Sequence, residues 1–113
     1  MHEFAITKSM LELVLEHAEK AGGKEVKKIN LVIGEMSGVV NECVQFYFNF
    51  LSEDTIANGA ALCFQTIPTT VRCRGCHRLF ELKQFNWSCP DCGANSLEVV
   101  AGNELFVESI EVE

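Results

Sequence analysis

Four of the six cysteines stand as Cys73-x2-Cys76 and Cys89-x2-Cys92, with twelve residues between the pairs. In a Cys-x2-Cys segment one tight turn brings two thiolates to a single ion. A linker of this length folds back to set the second pair opposite the first, which closes a tetrahedral metal site. Gly75 lies inside the first turn, Pro90 stiffens the second, and Gly93 follows it where a positive φ is often needed. Cys89-Pro90-Asp91-Cys92-Gly93 therefore reads as a knuckle of the zinc-ribbon or rubredoxin type. Zinc is favoured, because four-cysteine sites of this kind usually hold a redox-inert ion, and iron is the alternative. Four thiolates leave zinc no open position for water or substrate, so the expected role is structural. A module of about thirty residues is too short to bury a stable core alone, and metal binding would supply its folding free energy.

A second set of donors stands at the other end of the chain, in Met1-His2-Glu3. A bulky residue at position 2 normally blocks removal of the initiator Met, so the free amine is expected on Met1. That amine, the neighbouring peptide nitrogens and the His2 imidazole can form fused chelate rings around one small cation. Deprotonated amides and imidazole favour a square-planar ion, which points to Ni(II) or Cu(II). Glu3 would contribute its backbone nitrogen or hold a ligand in place. Taken alone, a single His near a terminus reads as a frayed end that happens to contain His.

The elements that position these donors follow from periodicity. Met10, Leu11, Val14, Leu15, Ala18 and Ala21 share one helical arc, with Lys8, Glu12, Glu16, Glu19 and Lys20 opposite. Residues 4–21 thus form an amphipathic helix, stopped by Gly22-Gly23. Ile29, Leu31 and Ile33 alternate as one face of a strand, and Gly34 and Gly38 bracket the turn after it. Asn41 is expected to cap a second helix in which Val44, Tyr47, Phe48 and Leu51 fall at i, i+3, i+4 and i+7. Asn58-Gly59 is a turn, residues 61–67 read as a second strand, and Pro68 marks the exit into the cysteine module. Glu104 to Glu113 forms a last strand, with Ile110 and Val112 inward.

A lone last strand cannot bury one face, so it needs partners from before the cysteines. The expected fold class is α+β: a small three-stranded sheet packed with two helices, plus an inserted four-cysteine zinc-ribbon module. Its domains are 1–68 completed by 101–113, and the metal module 69–100.

Composition limits the function. The net charge of −7 divides unevenly. Outside residues 69–100 there are five Lys against thirteen Asp or Glu, or −8. Within them Arg72, Arg74, Arg78 and Lys83 face Glu81, Asp91 and Glu98, or +1, before bound thiolates are counted. A nucleic-acid reader needs a basic face to neutralise phosphates, and the few arginines here fall short of one. No apolar run is long enough for a signal peptide or a membrane span, so the expected setting is the reducing cytoplasm, with the paired thiols on metal. Cys43 and Cys63 lie in apolar segments and read as small buried hydrophobes. A hydrolase is disfavoured, since the chain has no His-Glu-x-x-His, nucleophile elbow or phosphate loop. His17, at the edge of the apolar arc, reads as a partly buried core or interface residue. About fifteen residues of helix put it roughly 22 Å from His2, too far to share a metal.

Several motifs together resemble one family. They are Met1-His2-Glu3 running into an amphipathic helix, Ile33-Gly34-Glu35 after the first strand, the Asn58-Gly59-Ala60 turn, the two late Cys-x2-Cys pairs and the ending Ser109-Ile110-Glu111-Val112-Glu113. From end to end the chain resembles the HypA/HybF family of hydrogenase-maturation nickel metallochaperones. The resemblance implies that His2, with Met1, Glu3 and backbone nitrogens, takes up Ni2+, and that Cys73, Cys76, Cys89 and Cys92 hold structural Zn2+. It implies delivery of nickel to the large-subunit precursor of a [NiFe] hydrogenase in cooperation with the HypB-type nickel GTPase. Some relatives also supply urease. Family members are small cytoplasmic proteins, monomeric or self-associating as dimers. Some place an extra His from the zinc module on the nickel, for which His77 is the candidate here, while Gly93 stands where several relatives have His. The linker between the cysteine pairs is shorter than in archaeal relatives. A zinc-stabilised interaction adaptor without nickel is the second reading, and it predicts indifference to His2→Ala.

Overall fold

The computed structural model describes residues 3–82 and 86–113. Helix α1, Glu3–Lys20, opens the described chain. Met10, Leu11, Val14 and Ala18 from the expected arc are buried. Ala21 falls beyond the helix and is exposed. His17 is also exposed, so the partly buried residue expected from the apolar arc is corrected: the core side of α1 is taken by Val14 and Ala18 instead. Buried Thr7 satisfies its hydroxyl by donating to the Glu3 carbonyl at 2.6 Å. The helix ends in a paired C-terminal motif. Gly23 N–H donates to Ala18 O at 2.9 Å and Gly22 N–H to Glu19 O at 3.0 Å, with Gly22 at φ +70°.

Strand β1, Val26–Gly34, is central in a three-stranded sheet. It pairs in parallel with β2, Ala61–Ile67, and antiparallel with β6, Leu105–Val112. Ile29 sits between Leu62 and Ile110, and Leu31 between Phe64 and Val107. These rows face the helices. Between Asn30 and Leu31 the register with β6 slips by one residue, leaving Glu108 as the extra one, a bulge that keeps both Val107 and Ile110 on the core side. Val112, expected inward, is 36% exposed and closes over Gly23 at the sheet's end.

The parallel β1–β2 pair needs a crossover, supplied by a 3-10 turn at Glu35–Ser37 and helix α2, Asn41–Leu51. Val44 and Phe48 of α2 are buried, and Leu51 packs against the same core. Asn41 does not cap α2. Val40 holds the cap position with extended dihedrals and no side-chain cap bond. The carboxylate comes from another element: Glu3 Oε2 accepts from Val40 N–H at 3.2 Å, placing a negative group beside the positive end of α2.

A second three-stranded sheet forms in the cysteine-bearing stretch. It has the order β4-β3-β5, with β3 at Thr70–Cys73, β4 at Leu79–Glu81 and β5 at Leu97–Ala101. Its buried cluster is small: Val71, Cys73, Cys89 and Leu97, flanked by Phe80, Leu82, Ala94 and Val99. The chain crosses between the sheets twice, and both crossings meet at the end of β1. Gly34 N–H donates to Glu104 O at 2.7 Å and Met36 N–H to Gly102 O at 2.8 Å. Glu104 Oε1 accepts from Gly102 N–H at 2.8 Å. A Cβ on Gly34 would lie 2.0 Å from Gly102 O, and one on Gly102 would lie 2.9 Å from Thr69 Cα. The molecule measures 55 × 24 × 17 Å with a radius of gyration of 17.7 Å. A compact chain of this length would have about 13 Å, so the two sheets lie end to end.

Candidate metal centre

Two equivalent turns carry the cysteines. In the first, Cys73 N–H donates to Arg78 O at 2.9 Å and His77 N–H to Cys73 O at 2.8 Å. In the second, Cys89 N–H donates to Ala94 O and Gly93 N–H to Cys89 O, both at 2.9 Å. The residue after each second cysteine is left-handed: Gly93 at φ +74°, and His77 at φ +65°. Gly93 therefore has the conformation its sequence position suggested. His77 occupies the matching position, where an L side chain is strained, a point not legible from the sequence. The turns are further bridged by an ion pair from Arg78 to Asp91.

These turns bring all four Sγ atoms within 4.8 Å of one another. Cys73 Sγ lies 3.5 Å from Cys92 Sγ, and Cys76 Sγ 3.6 Å from Cys89 Sγ. A disulfide requires about 2.05 Å. A zinc tetrahedron with Zn–S near 2.3 Å has S···S separations of about 3.8 Å, so the quartet fits that ion closely. Cys73 and Cys89 are buried, while Cys76 and Cys92 are on the surface.

The electrostatics favour a dication. The Cys76 amide, helped by that of Gly75, lowers the Cys73 thiol from 9.0 to about 7. The Cys92 amide likewise lowers Cys89. For Cys76 the Arg78 amide pulls downward, but the neighbouring Cys89 and Cys73 outweigh it and push the thiol up to about 12. Cys92, despite the Ala94 amide, is raised by Cys73. Amide donors thus favour the thiolate form of one cysteine in each turn, and a bound cation would supply the charge that lets the other two ionise.

Of the amino-terminal donors, Met1 and His2 lie outside the described residues. Glu3 is the first residue of α1, held to Val40 through its carboxylate. Amide N–H groups in the first turn of a helix have no intrahelical acceptor, so chelation through the Glu3 nitrogen would cost the helix no hydrogen bond. His77 is exposed. Cys43 and Cys63 are half-buried and unpaired, and stand apart from the quartet.

The model of the family described as hydrogenase/urease nickel incorporation, metallochaperone, hypA, matches residues 1–112. The chain belongs to this family. A HypA hydrogenase maturation factor from Dehalococcoides mccartyi strain CBDB1 is 50% identical over 113 residues, covering 100% of this chain and 95% of the relative. Its counterpart in Caldanaerobacter subterraneus is 40% identical over 114 residues, with both chains fully covered. The solution structure of the Ni metallochaperone HypA from Helicobacter pylori superposes with a TM-score of 0.67 at 24% identity, over 99% of this chain and 97% of that one. A second HypA solution structure gives 0.74 at 23% identity, over 100% and 97%. At these identities the structures establish the shared α+β fold. The HypA family is one of nickel metallochaperones in hydrogenase maturation, a carrier rather than a catalytic role. Among the described residues no helix is long and apolar enough to cross a membrane.

Proposed function

We propose that the chain is a cytoplasmic carrier that takes up Ni2+ at its amino terminus and passes it to the large-subunit precursor of a [NiFe] hydrogenase, in cooperation with a HypB-type GTPase. The observation that carries this reading is the family match from residue 1 to 112, which takes in Met1-His2-Glu3 and the cysteine quartet together. The nickel donors are the Met1 amine, the backbone nitrogens that follow and the His2 imidazole, with Glu3 as a further donor or anchor. His77 is assigned as an auxiliary ligand. Cys73, Cys76, Cys89 and Cys92 hold Zn2+, which staples a module spanning 69–100 inserted into the domain formed by 1–68 and 101–113.

A carrier has to hold nickel against cellular competitors and still release it to its client. A site built largely from chain-terminal donors lacks a closed cage, so an incoming ligand can displace those donors one at a time. The donors bind only when deprotonated, so affinity falls with acid, the imidazole setting much of the change near its usual pKa of about 6.5.

The test is Ni2+ titration of untagged protein with Met1 intact, beside His2→Ala and His77→Ala, with zinc counted in each. Near-stoichiometric nickel lost in His2→Ala, with one zinc per chain kept, is the expected result. Equal binding by wild type and His2→Ala would leave a zinc-stapled adaptor. Unchanged affinity in His77→Ala would remove the auxiliary ligand alone.

A further inference from the structure

Helix α2 exposes more apolar surface than its place in the core requires. Phe46 and Phe50, one turn apart, are 67% and 56% exposed. The Phe46 ring stands edge-on to Tyr47 at 5.3 Å, and Tyr47 edge-on to Phe4 of α1 at 5.4 Å. Phe4 is itself 40% exposed, and Val40, at the start of α2, 46%. The aromatic face is thus continuous from the first turn of α1 across α2, and Val40 is tied to the carboxylate of Glu3. Exposed clustered aromatics are typical anchors of protein interfaces.

Charge identifies the partner. From residue 29 to residue 71 the chain has no Lys, Arg or His, and the acids there are Glu35, Glu42, Glu53 and Asp54. On α1, Lys8 lies one turn beyond Phe4, outnumbered by Glu3 and Glu12. A second copy paired through the same face would set acid against acid, and an anionic lipid surface would be repelled. We propose that the Phe4–Val40–Phe46–Phe50 face docks a protein segment whose apolar side chains are flanked by Lys or Arg. Such a partner fills the aromatic face and neutralises its rim, beside Glu3. The carrier reading supplies the two proteins to try, the GTPase and the hydrogenase large-subunit precursor.

The experiment titrates each purified partner with the full zinc-loaded chain, as wild type, Phe46→Ser/Phe50→Ser and Glu42→Gln/Glu53→Gln, at low and high salt. At least one partner should bind the wild type. The double serine variant should weaken that binding at least tenfold, or more than about 1.4 kcal/mol. The double glutamine variant should weaken it several-fold and flatten its salt dependence. Because the four side chains are on the surface, circular dichroism, melting temperature and Ni2+ titration should match wild type in both variants. No binding of either partner by wild type, equal binding by the serine variant, or loss of a wild-type homodimer in that variant would each overturn the proposal. Failure of wild type to bind nickel, with partner binding intact, would instead sink the carrier reading and leave the docking face standing.

Discussion

His77 is held left-handed by the same turn geometry that Gly93 adopts without a Cβ. Replacing it tests whether that strain is tolerated for the sake of the imidazole. His77→Gly should leave the zinc-loaded module as stable as wild type or up to about 0.5 kcal/mol more so, while His77→Val should cost about 1–2 kcal/mol, read by denaturant unfolding. Loss of stability in the glycine variant would mean that the ring itself supports the turn. The thiols make a second prediction at this scale. The turn amides hold the folded Cys73 thiol at about 7, below its usual 9.0. Cys76, despite the Arg78 amide, is raised to about 12 by the neighbouring thiols and by burial. Zinc binding has to displace the remaining thiol protons, so affinity should fall toward acid, measurable as proton release by titration in buffers of different ionisation enthalpy.

At the scale of elements, the end of β1 explains a motif that sequence could only point to. Gly34 has ordinary extended dihedrals, so its glycine is required by space rather than by backbone conformation. The returning backbone at Gly102 and Glu104 fills the volume a side chain would occupy. Gly34→Ala should therefore cost several kcal/mol, about 3 or more, and expose both crossings to amide exchange. An alanine variant as stable as wild type would show that the crossings can move apart freely. The far end of α2 offers the opposite case. Ser52 is buried, and among the described residues its hydroxyl is the buried side-chain oxygen without a partner. Ser52→Ala should raise stability by about 1 kcal/mol, visible as a higher melting temperature.

At the scale of the molecule, the two sheets have separate cores of unequal strength. The larger one gathers α1, α2 and all three strands of the β2-β1-β6 sheet around Ile29 and Phe48. The smaller one has four buried residues, two of them cysteines. Removing zinc with a strong chelator should release amide protection across 70–101 while residues 26–34 keep theirs, followed by hydrogen exchange. Loss of protection in both regions at once would show that the crossings at Gly34 make the chain a single cooperative unit.

Sequence by itself determined the two helices, the strands of the larger sheet and the meeting of the four thiols, because these are local; it did not show the strands β3, β4 and β5 of the cysteine module. Helical and strand periods are written in consecutive residues, and a Cys-x2-Cys turn sets two thiolates with no help from elsewhere. The helix bounds of 4–21 and the strand at 61–67 fell within a residue of the observed ones for that reason. What needed the tertiary structure were contacts between residues far apart in the chain. Asn41 looked like the cap of α2, yet the carboxylate there belongs to Glu3, which lies 37 residues away in sequence from Val40. His17 looked half-buried, yet it is exposed, the core side of α1 being taken by Val14 and Ala18. The bulge at Glu108 and the crowding at Gly34 likewise arise only when β6 returns to β1. A side chain's period tells which way it points, but only the assembled chain decides what lies there to meet it.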